Sequence, residues 1–251
     1  MLRSTASLLA ALSLVGCVAD AGDEDKGFAE WWYDVAPVEI TCGDETIVVQ
    51  LGLGYDDEEL ASLESAMCGA LQVADRGLDR LERMERGEAT EDEIHRLRIW
   101  FSNDYRPLED IDTAQIQRVF VSIAEGLRSE TLWIRPGDDR LCAENTRGSV
   151  YVEEPGSADV RTCPEAFAAG MLVEDLVHES LHAYASLLDH GYAGPCLYYV
   201  PTGPSSGRIE VLDEATLLDN ADTYSSWATD GNLMLRWGDR SAVTGACPPR
   251  R

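Results

Sequence analysis

The sequence predicts an α+β fold, mostly helical with a small sheet, and held by disulfides. Three observations carry this expectation. Apolar residues recur at helical spacing over 57–86, 91–101 and 112–127, short β-rich runs lie before and after these stretches, and six cysteines remain once the N-terminal segment is set aside. With 251 residues the chain is long enough for one buried core, so one main domain is expected.

Arg3 followed by the apolar residues 8–15 reads as an export signal, too short to span a bilayer. Its end, Leu14-Val15-Gly16-Cys17, resembles a bacterial lipoprotein cleavage box. That resemblance implies a lipidated Cys17, membrane attachment through lipid alone, and a place on the outer membrane or outside the cell. The alternative is a freely secreted protein with an incidental cysteine. Residues 18–30 are small and acidic with no apolar periodicity, the composition of a flexible tether. The expected organisation is a signal peptide over 1–17, a tether over 18–30, a β-rich segment over 31–56 and the main domain over 57–251, with the fold starting near Trp31.

Between residues 38 and 53, Ile40, Ile47, Val48, Val49 and Leu51 flank Gly43-Asp44, which predicts a hairpin. In 57–86, Leu60, Leu63, Met67, Leu71, Ala74, Leu78 and Leu81 share a face, and Gly87 is a natural stop. Ile116, Val119, Phe120 and Ile123 do the same in 112–127. Strands are expected at 132–134, 150–152 and 160–162, where Gly, Asp and Pro mark the turns. They should form a small sheet beside a helix predicted over 166–188.

The net charge of −26 excludes nucleic acid and an anionic membrane surface as partners, because nothing here could neutralise rows of phosphates. It reads as a solvated acidic surface. The six cysteines, Cys42, Cys68, Cys142, Cys163, Cys196 and Cys247, include no Cys-x-x-Cys pair, which favours disulfides over a zinc ribbon or a redox motif.

Within the helix predicted over 166–188, His178 and His182 are four residues apart, so both imidazoles leave one face and can share a metal ion. Glu179 lies beside them. Imidazole suits zinc, and a neighbouring carboxylate can take a proton from water that the metal acidifies. This is the logic of a zinc-dependent peptidase with Glu179 as general base; the alternative is two core histidines that are merely hydrogen-bonded. A catalytic zinc site normally has three protein ligands. Asp189, His190, Glu210, Asp213 and Glu214 are all candidates for the third, and spacing does not choose among them.

Three pieces of the chain resemble the aspzincin family, the deuterolysins and peptidyl-lysine metalloendopeptidases. They are His178-Glu179-Ser180-Leu181-His182, then Asp189-His190-Gly191-Tyr192, then Asn220-Ala221-Asp222-Thr223-Tyr224. Cys142, Ser149-Val150-Tyr151-Val152 and Cys163-Pro164 add a weaker similarity. The family's Gly-Thr pair stands here as Ser186-Leu187, and its glycine after the tyrosine as Ala193.

The resemblance implies a zincin-like domain, one Zn2+ held by His178, His182 and Asp189, and Tyr192 as an aid to catalysis. It places Asp222 either at the substrate pocket or in support of the zinc helix, and makes His190 a neighbour of the site rather than a ligand. Glu174 would orient an imidazole or be solvated. Cys142 with Cys163 is the implied bridge; Cys42 with Cys68 and Cys196 with Cys247 are the sequence-local pairs for the rest. The implied partner is a protein or peptide substrate, and the implied state a monomer. Two alternatives stand beside this reading: a glutamate-zincin using Glu210 or Glu214, and a lipid-tethered binding or adhesion module that keeps the fold without turnover.

Overall fold

The structure, a computed structural model, describes residues 35–102, 107–137, 142, 148–151, 158–169, 171–190, 192–194, 197–201, 207–210 and 213–229. The expected signal peptide, the tether, Trp31 and the Cys196–Cys247 pair lie outside the described residues.

The architecture is α+β. The hairpin forms as expected: β1 (Val35–Cys42) pairs antiparallel with β2 (Glu45–Gly52), Cys42 opposite Glu45. Gly43, with φ of +67°, makes the two-residue connection possible, because an L side chain is disfavoured there. The hairpin is part of the main sheet, since β2 runs parallel to β3 (Leu132–Pro136). Beyond it β3 pairs parallel with β5 (Ala158–Thr162), which pairs antiparallel with β4 (Gly148–Tyr151). The five-stranded order is therefore β1-β2-β3-β5-β4, with β4 at an edge.

Three helices supply the other layer. α1 (Asp57–Glu85) opens on a capping box in which Asp56 accepts from the backbone of Glu58 and Glu59 while Glu59 accepts from Asp56 N–H. Its apolar stripe is buried at Leu63, Met67, Leu71, Ala74 and Leu81. Gly87, at φ +69°, follows its end. α2 (Glu91–Phe101) opens on a second capping box, Thr90 with Glu93, and α3 (Thr113–Arg128) on Asp112, whose carboxylate accepts from Gln115 N–H. The Cys42–Cys68 disulfide ties β1 to α1, and Cys142–Cys163 is the second bridge. Arg128 spans α3, β2 and α1 by binding Glu45 and Asp75.

The helix predicted over 166–188 is two helices, α4 (Pro164–Ala169) and α5 (Leu172–Ala185). Met171 N–H bonds back to Ala166 O, closing the end of α4, and Met171 O then accepts from Asp175 N–H to start α5. The apolar pattern runs on across the break because Met171 and Leu172 are both buried.

α5 is the central helix, packed against α1, α3, β4 and β5. Glycines let it approach closely. A Cβ on Gly69 of α1 would lie 2.7 Å from Val173, and one on Gly126 of α3 would lie 2.2 Å from the Tyr184 ring.

A second, three-stranded sheet of β6 (Tyr192–Gly194), β7 (Leu197–Pro201) and β8 (Gly207–Glu210) follows, then α6 (Glu214–Leu217) and α7 (Ala221–Ala228). Every residue of α7 is buried. Tyr224 and Trp227 stack edge-on against Phe101, and Arg80 donates to Trp227 O near the helix end. That packing holds α7 against α2 and α1, and α7 also packs on α5. Among the described residues, no helix is long and apolar enough to cross a membrane.

Candidate metal centre

α5 presents His178 and His182 one turn apart, and their Nε2 atoms lie 3.1 Å from each other. The chain then reverses. Ser186 adopts a left-handed conformation, φ 57°, with its N–H on His182 O, and Leu187 N–H reaches back to Leu181 O. This is the conformation a glycine takes most easily.

The reversal returns Asp189 to the histidines. Its Oδ1 lies 3.3 Å from Nε2 of His178 and 3.3 Å from Nε2 of His182. Among the described residues, these three form the group of His, Cys, Asp and Glu donors close enough to hold one metal ion. Their side chains are largely buried, at 15–19% exposure, and Asp189 Oδ1 itself is buried.

Hydrogen bonds on the far side of each ring decide what the group can bind. His182 Nδ1 lies 2.7 Å from Leu187 O, a carbonyl that can only accept, so Nδ1 carries the proton. His178 Nδ1 lies 3.0 Å from Asp222 Oδ1, a buried carboxylate that likewise accepts. With both Nδ1 atoms donating, each imidazole in its neutral form presents an Nε2 lone pair to the other and to the Asp189 carboxylate. Three acceptors thus converge, and a cation satisfies all three together.

The size fits. Ligand atoms about 2.0–2.1 Å from a tetrahedral zinc are separated by about 3.3 Å, the edge of such a tetrahedron. The edges of the triangle are 3.1, 3.3 and 3.3 Å. The donor set, two imidazoles and one carboxylate, is one that zinc accepts, and the carboxylate and carbonyl behind the imidazoles are the partners that fix metal-binding histidines.

A proton competes with the metal for this place. Burial disfavours a charged His178, but Asp189 and Asp222 more than offset it and hold its pKa well above 6.5. The same negative field favours a metal cation. Burial also opposes ionisation of Asp189, yet His178 and His182 hold its carboxyl far below the usual range, so it remains a carboxylate. Glu179 is buried beside the triangle; burial raises its pKa, although both histidines pull it down.

The other candidates take other places. His190 turns away, its Nε2 2.9 Å from Asp219 Oδ2 and its N–H on Asn220 Oδ1. Asp213 caps α6 by accepting from Thr216 N–H. Glu214 opens α6 and is not in the triangle. Glu210 lies on β8 and Tyr192 on β6, the latter opposite Tyr199, and both side chains lie outside the described residues. Glu174 is 2% exposed, which overturns the solvated alternative. Asp222, for which two places were open, stands behind His178.

Two partners were not anticipated from sequence, the Leu187 carbonyl and the Asp219-Asn220 pair that meets the Asp189 loop. The polar doublets Asp189-His190 and Asp219-Asn220 were a visible signal, but nothing local joins them. No protein-family model matches the chain, and no curated protein matches it.

Proposed function

We propose that the chain is an exported zinc-dependent endopeptidase of zincin type, attached to the membrane by lipid on Cys17. The observation that carries the reading is the triangle of His178 Nε2, His182 Nε2 and Asp189 Oδ1, with edges of 3.1, 3.3 and 3.3 Å and every far-side imidazole proton already bonded.

His178 and His182 would hold the ion through Nε2 and Asp189 through Oδ1. Bound zinc supplies Lewis acidity, lowering the pKa of a water and polarising a peptide carbonyl. Asp222 and the Leu187 carbonyl keep the two imidazoles in the Nδ1–H tautomer, so their lone pairs stay aimed at the ion.

Glu179 takes the proton from the attacking water and returns it to the amine as the peptide bond breaks. Burial raises its pKa in the metal-free site, which makes it a better proton acceptor than an exposed carboxylate. Tyr192, three residues beyond Asp189 in sequence, is the proposed donor to the developing oxyanion.

The test is hydrolysis of an unfolded protein by the full chain, with and without a zinc chelator. Zinc-dependent cleavage is the expected result. Zinc bound tightly with no cleavage of any unfolded substrate would instead support the binding-module alternative.

A further inference from the structure

We infer that Asn220 is a positioning residue that sets the third metal donor, by holding the loop that carries Asp189. This rests on the metal-site reading above.

After the left-handed turn at Ser186 the chain crosses to the segment leading into α7. Leu188 N–H donates to Asp219 O at 2.9 Å, and Ala221 N–H donates to Leu188 O at 3.0 Å, an isolated parallel bridge. This fixes the residue before Asp189. The residue after it is fixed by Asn220: His190 N–H donates to Asn220 Oδ1 at 2.8 Å. Asp189 is therefore clamped on both sides.

Asn220 stands at the N-cap position of α7, where an asparagine ordinarily accepts from the helix's own backbone. Here its side chain makes no such bond. The acceptor goes to the Asp189 loop instead. His190 N–H can only donate, which fixes the amide with its oxygen toward the loop, and Nδ2 then donates to Thr223 Oγ1 at 3.1 Å. The residue is fully buried, so the orientation is held by packing as well.

Two residues on, Asp222 reaches His178 Nδ1. The start of α7 therefore sets two properties of one site, the place of the Asp189 carboxylate and the direction of the His178 lone pair. Asp219 adds a second hold on the loop through His190 Nε2.

The experiment measures Zn2+ affinity of the full chain by competition with a chelator, at a temperature well below unfolding, beside the melting temperature of each variant. Asn220→Ala is expected to raise the zinc Kd about tenfold, the lower end of the effect of removing a partner behind a ligand. Asn220→Asp keeps the acceptor for His190 N–H and is expected to stay within about threefold of the parent. Leu63→Ala, a cavity in the α1 stripe, is expected to lower the melting temperature and leave Kd unchanged.

Asp219→Ala, at a half-exposed position, is the second variant should Asn220→Ala not fold, and is expected to raise Kd about threefold. Parent-like Kd in folded Asn220→Ala, or in Asp219→Ala where the first does not fold, overturns the inference and leaves the metal site standing. A parent chain that binds no zinc overturns the site itself, and the two failures are distinct.

Discussion

Replacing Asp222 by alanine removes a carboxylate that is 3% exposed and 3.0 Å from His178 Nδ1. Two routes give the size of the effect. A hydrogen bond to a charged group contributes about 1.5–3 kcal/mol, because the ion strengthens it and no water replaces it in a buried place. Removing such a partner from behind a metal-bound histidine costs about 10–100-fold in affinity, which is about 1.4–2.7 kcal/mol. The routes agree, so Asp222→Ala is expected to raise the zinc Kd about 10–100-fold. Asp222→Asn keeps an acceptor for Nδ1–H without the charge and is expected to fall between the two. Chelator competition measures both. A folded Asp222→Ala variant that binds zinc like the parent would refute the reasoning, because His178 would then need no fixed tautomer.

Two further outcomes follow from the same geometry. Gly126→Ala should gain about 1 kcal/mol of helix propensity but force Cβ to 2.2 Å from the Tyr184 ring, an overpacking cost of about 3 kcal/mol, for a net loss of about 2 kcal/mol in urea unfolding. In a Tyr184→Ala background the same change should stabilise, and a stabilised single variant would contradict the close approach of α3 and α5. Asp189→Ala should lose bound zinc, read by metal content after dialysis; zinc retained in full would move the third donor to Glu210 or Glu214.

The elements before residue 137 were legible because each has a contrast to read. Leu63, Met67, Leu71, Ala74 and Leu81 are buried on a helix whose other face meets solvent, so period and burial coincide. The break between α4 and α5 has Gly170 as its signal in the sequence, but the apolar pattern runs on across it because Met171 and Leu172 are both buried. α7 has no solvent face at all, so nothing in its eight residues alternates and periodicity does not reveal it. The run Leu197-Tyr198-Tyr199-Val200 was a β signal that went unread, and with it the second sheet.

The site divides in the same way. His178, Glu179 and His182 follow from helical spacing alone. Asp189 meets them only because Ser186 takes a left-handed conformation, which a serine does not announce. Asp222 behind His178 and Asn220 behind His190 are joined across the fold, and only tertiary packing brings such partners together. A helical glycine such as Gly126 looks in sequence like a weak position; in the structure it leaves room for the Tyr184 ring of α5.

The central claim is that the buried Glu179 carboxylate moves a proton at a site whose metal is held by other residues. Its most direct measurement is digestion of an unfolded protein by the full chain and by its Glu179→Gln variant, each assayed for bound zinc, with the products mapped by mass spectrometry. The account expects both to hold zinc, the parent to cleave, and the variant to cleave more slowly by orders of magnitude. Undiminished cleavage by a zinc-loaded Glu179→Gln variant would contradict it.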